Sequence, residues 1–245
     1  MKLQIAIRKR LLEKFYNILI GLSLFAIFPI NTTAQTAKYT GLEPGTFMQQ
    51  WLVLGPIPAF KDEAKSMDPD LQKAAFEYEQ LPVEEYYDIK EGKFVNISGK
   101  TYRWEYLNNE DEIVDLDKQY NGVDFAIAYA CADITMANPK KVLIGIGSDD
   151  GIKIWLNGEL VHQHWVARPV NQDDDLIMLN MKKGYNRLII KVQDIQQGWS
   201  FCCRALGEKQ ISDYFLAAVR NGDLDRMKML IETGINVNKK TYKHF

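Results

Sequence analysis

Residues 147–161 read Gly-Ser-Asp-Asp-Gly-Ile-Lys-Ile-Trp-Leu-Asn-Gly-Glu-Leu-Val, with the apolar run Val142 to Ile146 just ahead of them. Ser148 to Gly151 and the pair Asn157-Gly158 both offer residues that tolerate positive φ, so the stretch reads as three short strands joined by two tight turns. Asn-Gly between alternating apolar positions is a strong hairpin signal. In the middle strand Ile152, Ile154 and Leu156 share one face, and Lys153 and Trp155 share the other. That alternation belongs to a strand with one side on a core and one in water. The stretch predicts the middle of an all-β sandwich.

Working outward, strand-period runs recur at Leu176 to Met181, Asn186 to Gln193 and Ser200 to Leu206, with Lys182 to Gly184 as another tight turn. Upstream, Trp51 to Pro58 reads as the first strand, closed by Pro56 and Pro58. Val123 to Ile134 reads as a long strand with Ala126, Ala128, Ala130 and Ala132 all on one face. An all-alanine face implies close approach of another element, so this strand is expected at the centre of its sheet. Tyr102, Trp104 and Tyr106 alternate with Arg103 and Glu105, giving an aromatic face that either packs into a core or stacks on a sugar. Between these runs, Lys61 to Glu91 turns acidic and helical. Asp68 is placed to cap a helix beginning at Pro69, an excursion outside the sandwich to which no chemistry is assigned. Many short strands with turns between them argue against a parallel α/β sheet. The expected fold is mainly β, a jelly-roll β-sandwich over residues 40–207.

The run S-D-D-G-I-K-I-W-L-N-G-E-L-V resembles the core signature of galactose-binding-like jelly-roll modules attached to secreted bacterial glycosidases. The resemblance extends to Trp51 to Pro58, Gly99-Lys100, Val114 to Leu116, Lys182 to Gly184 and Gly198 to Phe201. More distantly it is similar to the insert domain of anthrax protective antigen, whose relatives in yeast adhesins use an Asp-Asp pair for calcium and sugar. The resemblance implies a carbohydrate-binding module, with Asp149 and Asp150 as calcium ligands.

After Gly207 the pattern changes to helical spacing, interrupted at Asn221-Gly222 and Thr233-Gly234, which reads as two short antiparallel helices. Ala217 to Leu224, Leu230 to Gly234 and Val237-Asn238 resemble about one ankyrin repeat, lacking the T-P-L-H turn ahead of the first helix. The resemblance implies a protein partner. One repeat cannot bury its own apolar face. Either further repeats follow Phe245, or the pair, assigned to residues 211–245, docks on the sandwich.

At the other end, Lys2, Arg8, Lys9, Arg10 and Lys14 precede an apolar run from Ile18 to Ile30 and the small residues Thr32 to Ala34. Residues 1–34 read as a signal peptide cleaved after Ala34. The run is shorter than the about 20 residues that span a bilayer. Cleavage removes five basic residues and one acidic residue, so the net charge of −2 becomes −6. An acidic, exported chain without a Lys/Arg cluster is a poor nucleic-acid partner. It carries no further membrane span, and its expected location is periplasmic or extracellular. The three cysteines, Cys131, Cys202 and Cys203, are too few for a disulfide framework and read as small buried residues, Cys131 being the one able to bridge. Cys202 and Cys203 alternate across a strand, so only one of them is expected to face the core.

Strand parity sorts the loops. If strands from Val142 onward alternate in direction, Ser148 to Gly151, Trp165 to Asp175 and Gln196 to Trp199 emerge at one end. That end gathers Asp149, Asp150, Trp165, Arg168, Asp173, Asp174, Asp175 and Trp199. Carboxylates, an arginine and indoles suit a sugar site or an oxygen-ligated calcium site. The same residues also suit plain fastening, with turn aspartates accepting backbone N–H groups and Arg168 tying down a long loop. Adjacent carboxylates on a turn do not make a glycosidase pair. No G-x-S-x-G elbow, H-E-x-x-H or phosphate-cradling glycine loop occurs in the sequence. His162 and His164 share a strand face, but two ligands fall short of a zinc site, which leaves them as solvent-facing or packing side chains. The expected function is noncatalytic binding of a glycan or surface polymer. The alternative is a structural spacer or accessory domain of a larger protein, with recognition by the ankyrin part.

Overall fold

In the computed structural model, residues 35–60 and 67–236 are described. The expected signal peptide lies outside them, as do residues 237–245 of the expected ankyrin segment. No helix among the described residues is long and apolar enough to cross a membrane.

Thirteen strands are described: β1 (Lys38–Thr40), β2 (Gln50–Pro58), β3 (Phe94–Ile97), β4 (Lys100–Arg103), β5 (Glu105–Asn108), β6 (Val114–Asp115), β7 (Ala126–Met136), β8 (Lys140–Asp149), β9 (Ile152–Leu156), β10 (Glu159–His164), β11 (Asp175–Met181), β12 (Gly184–Gln193) and β13 (Ser200–Ala205). The helices are α1 (Pro69–Glu77), α2 (Leu116–Tyr120), α3 (Glu208–Asn221) and α4 (Leu224–Ile231), with a 3-10 turn at Val83–Tyr87. One sheet runs β10-β9-β12-β7-β2-β5, with β1 also on β7, and a second runs β11-β8-β13-β6. Apart from the parallel β1–β7 pair, every pairing is antiparallel. The chain is mainly β.

The alanine face of β7 lies in the core shared by the two sheets, with Ile152, Ile154 and Leu156 of β9 and Trp51, Trp199 and Phe201. Small side chains on β7 leave room there for indoles, and Trp51 meets Phe201 edge-on at 5.2 Å. Each such large apolar side chain contributes about 1.5–3 kcal/mol on burial. β7 is interior to its sheet, as its pattern predicts, although it begins at Ala126 rather than Val123.

Two turns differ from expectation. Asn157 (φ +56°) and Gly158 (φ +88°) form the predicted hairpin between β9 and β10. Ser148 to Gly151, however, carries the chain from one sheet to the other, since β8 pairs with β11 and β13 and β9 pairs with β10 and β12. Lys182 to Gly184 likewise passes from β11 to β12, between sheets. The residues at these places favour a change of direction, and the core then decides which edge each strand joins. Replacing Asn157 by alanine is expected to cost about 1–2 kcal/mol, because an L side chain other than Asn is strained at positive φ. The amide also accepts from Arg187 N and donates to Asn186 Oδ1. Chemical denaturation measures this.

The predicted solvent face of β9 is buried. Lys153 and Trp155 point away from the inter-sheet core into a second apolar layer, formed with Leu81, Tyr86, Val95, Ile97 and Trp104. The acidic segment is therefore a cover over the larger sheet. Asp68 caps α1 by accepting from Asp70 N and Leu71 N, as its sequence predicts. A helix C-terminus needs donors for its last carbonyls. Lys191 Nζ reaches Phe76 O (2.8 Å) and Tyr78 O (2.5 Å), and Lys153 Nζ reaches Glu77 O (3.1 Å) and the Glu79 carboxylate (2.5 Å). The two lysines are register partners on β12 and β9, so the outer face of this sheet is built to hold α1. Trp104 lies between β4 and β5 and is fully buried, so the Tyr102–Tyr106 run is two strands whose indole packs inward.

Helices α3 and α4 pack on the outer face of the smaller sheet, where Ala218 and Leu230 join Leu143 and Leu206, with Leu176, Met178 and Phe215 against them. Of the two expectations for this helix pair, docking is what the described residues display. The cysteines are all free and buried. Cys203 faces the inter-sheet core, while Cys202 on the opposite face is covered by the loop at Asn171.

Candidate functional site

The ends of β8, β10 and β12 and the starts of β9, β11 and β13 lie at one pole. Register fixes this, with Ser200 opposite Asp149, Asp175 opposite Ile146 and Val192 opposite Ile152. The loops that parity assigns to one end therefore meet, and their side chains divide into two groups.

The first group fastens the β10–β11 loop. Asp150 spends both carboxylate oxygens on backbone amides, accepting from Arg168 N (3.0 Å) and Ile195 N (2.9 Å). The Arg168 guanidinium donates to Ser148 O (3.3 Å) and to Asp175 Oδ2 (2.6 Å), and stands 3.5 Å from Asp174. Asp173, buried and at φ +58°, receives both Arg204 Nε (3.0 Å) and Arg204 Nη2, and also the Tyr214 hydroxyl (2.7 Å). Asp173 thus ties the loop to β13 and α3 and is not presented to a ligand. Trp165 is half-buried on this loop, and its Nε1 has no hydrogen-bond partner among the described residues.

This loop can lie so close because β8 carries glycines beneath it. A Cβ on Gly145 would stand 2.0 Å from Asp173 Oδ1, and one on Gly147 would stand 1.8 Å from Asn171 O. The G-x-G alternation inside a predicted strand is the sequence signal of that approach. It was available in Gly145 and Gly147 and is not part of the predicted site.

The second group lines an open cleft of about 690 Å³ between Asp111 to Asp117 on one side and Gly198 to Ser200 on the other. Asp149 is a neighbour of Gly198 rather than part of the lining: its Oδ2 lies 2.6 Å from where a Cβ on Gly198 would sit. Trp199 is 1% exposed and packs on Tyr120 at 5.4 Å, and its Nε1 has no hydrogen-bond partner among the described residues. Asp115 is committed in part, because its carboxylate caps α2 through Lys118 N (2.8 Å). The acidic connection was legible in the sequence, but its meeting with Trp199 was not, because that depends on β6 pairing with β13.

Burial and mutual repulsion shape the carboxylates here. Burial, then the neighbouring Asp150 and Asp117, lifts Asp149 to about 6. Burial lifts Asp194 further, to about 8, with Asp150 adding to it and the Phe125 amide opposing. Between the ordinary value of 3.8 and these raised values, the folded chain holds protons that the unfolded chain has released. Folding stability contributed by these two groups is full below about pH 4 and is lost as pH rises through about 8. Asp194→Asn is expected to flatten the upper part of that loss, which melting temperatures measured from pH 5 to 9 will reveal. Asp175 behaves oppositely: although burial pushes it up, His162, Arg168 and His164 hold it well below the usual carboxylate range.

Calcium at Asp149 and Asp150 would have to share Asp150 with two amides. Among the described residues, the group of three ligand-type side chains with their donor atoms together is instead His162, His164 and Asp175.

No family model matches the chain, and no curated protein matches it significantly. Solved structures resemble parts of it. A beta-glucosidase from Kluyveromyces marxianus in complex with glucose is 12% identical over 46% of this chain and 16% of that one, with a TM-score of 0.34. A putative beta-galactosidase from Bacteroides fragilis is 10% identical over 64% of this chain and 22% of that one, with a TM-score of 0.33. The Podospora anserina GH26-CBM35 beta-(1,4)-mannanase is 12% identical over 40% of this chain and 25% of that one, with a TM-score of 0.24. The chain spans a quarter or less of each, and no residue role carries across.

Proposed function

We propose that the chain is an exported, noncatalytic binding module, a jelly-roll type sandwich that holds a carbohydrate or polyhydroxylated surface polymer in the cleft beside Trp199. The observation that carries this reading is the lining of that cleft: Asp111, Glu112, Asp115 and Asp117 face Gly198 to Ser200 across open space, with an indole at its boundary. Carboxylates accept hydrogen bonds from sugar hydroxyls, and the buried Trp199 indole forms the floor behind Gly198 and Ser200 rather than a stacking surface. Binding rather than hydrolysis is proposed because a glycosidase needs two carboxyl groups facing each other across the bond to be cut. The charged wall sits on a single segment, Asp111 to Asp117.

A screen of the chain against neutral and basic glycans, with and without a chelator, tests this. Retention on at least one glycan is expected, weakened at least tenfold by Asp117→Asn. Chelator-sensitive retention adds a metal to the binding step. No retention on any glycan contradicts the proposal and favours a second reading, a structural spacer whose helix pair contacts protein. The exposed Val219, Leu224 and Ile231 on α3 and α4 support that second reading, as does the ankyrin-like run of the same segment.

A further inference from the structure

We propose that His162, His164 and Asp175 form a binding site for a divalent transition metal, zinc foremost, which clasps the open edges of the two sheets. β10 and β11 are edge strands of different sheets, and the chain between them is the loop that Arg168 and Asp173 hold down. Two histidines at i and i+2 on β10 present their rings on one face. A register shift between Leu160 and His162 marks a bulge just before the first, a feature that re-aims side chains at sheet edges. Asp175, the first residue of β11, faces both rings.

The distances suit a metal. Zinc bonds of about 2.0–2.2 Å put neighbouring ligand atoms roughly 3–3.5 Å apart. His164 Nδ1 lies 2.9 Å from Asp175 Oδ1, His162 Nε2 lies 3.6 Å from Asp175 Oδ2, and the three donor atoms all lie within 4.8 Å of one another. His162 Nε2 is shielded from solvent and makes no hydrogen bond among the described residues, standing 3.6 Å from Asp175 Oδ2, so a bound metal would supply the partner it lacks. Arg168 Nη2 engages Asp175 Oδ2 at 2.6 Å, which orients the carboxylate, and a metal between Oδ1 and His164 Nδ1 would replace the direct 2.9 Å contact of those two atoms. Two imidazoles and one carboxylate select zinc, nickel, cobalt or copper over calcium or magnesium. Three protein ligands leave a further position for water or for a donor atom of a bound molecule. The third ligand is eleven residues beyond His164 and is brought back by the fold, so the sequence displays only a pair.

Titration of the metal-free chain, prepared without a polyhistidine tag, tests the site. Zinc is expected to bind one to one and to raise the melting temperature, calcium is not, and cobalt is expected to produce visible d–d absorption. His162→Ala and His164→Ala are each expected to weaken zinc at least tenfold and to abolish the cobalt bands together. His244→Ala, at the remaining histidine, is expected to change neither. Absence of one-to-one zinc binding, or binding undiminished in the folded double variant, overturns the proposal. Because His162 and His164 lie on an edge strand and are 24% and 43% exposed, both variants are expected to fold, which far-UV circular dichroism checks before the comparison.

Discussion

Replacing Arg187 by alanine lowers the free energy of unfolding by about 3–5 kcal/mol, the range for breaking a buried ion pair from one side. Arg187 sits on β12, 8% exposed, and its guanidinium serves three groups at once. It donates to Asp133 through Nε (2.7 Å) and Nη2 (3.0 Å), to Tyr86 O through Nη1 (3.0 Å), and to Ile89 O through Nη2 (3.2 Å). Alanine leaves two buried carbonyls without this donor and the half-buried Asp133 carboxylate with only the Tyr185 hydroxyl (2.8 Å), and each orphaned group adds about 1–3 kcal/mol. The carbonyls belong to the segment around the 3-10 turn, so this one side chain pins the cover to the larger sheet. Lysine cannot replace it, because a single ammonium cannot present the planar fork that reaches all three. Urea denaturation of Arg187→Ala and Arg187→Lys will show the predicted loss in both, larger in the first. A change below about 1 kcal/mol in either, the size of an ordinary exposed pair, contradicts the assignment.

The second large effect belongs to Gly147. Gly147→Ala costs about 2–3 kcal/mol, because a methyl group placed 1.8 Å from the Asn171 carbonyl oxygen forces backbone apart rather than a flexible side chain. The neighbouring contact with Cys202 Sγ, at 3.1 Å, closes the other direction of relief. Lifting the loop loosens what it carries, so the same variant is expected to weaken the Asp150–Arg168 latch and to make the Trp165 loop more open to proteolysis. Thermal melting and limited proteolysis together separate this from a uniform loss of stability. A neutral Gly147→Ala would mean that the loop does not rest on β8.

These two residues also mark where a one-dimensional reading stops. Period-two alternation marked β2, β7, β9, β11, β12 and β13, because strand geometry imposes it directly on the residues. The same alternation misassigned the outer face of β9, since Lys153 in a strand normally signals water. Here the lysine is buried because the C-terminus of α1 supplies carbonyls for it, and that helix is more than seventy residues away. Cys202 is covered for a similar reason, by a loop that approaches only because Gly147 has no side chain. Turn residues located the breaks at 148–151 and 182–184 but not the change of sheet, which is a property of the assembled core. At the rim, parity brought the ends of the three loops to one pole, as the strand register has them. It could not say that Asp150, Arg168 and Asp173 are bonded to the protein itself, nor that the acidic connection from Asp111 to Asp117 would face Trp199.

The central claim is that the cleft between that connection and Gly198 to Ser200 receives a polyhydroxylated ligand. Amide chemical-shift mapping of the chain, titrated with the glycan it retains most strongly, tests this most directly. The account predicts perturbations concentrated at residues 111–117, at Asp149 and at 198–200, with the indole N–H of Trp199 among the largest. Perturbations confined to the outer faces of the sheets or to α3 and α4, with the Trp199 indole unmoved, would contradict it.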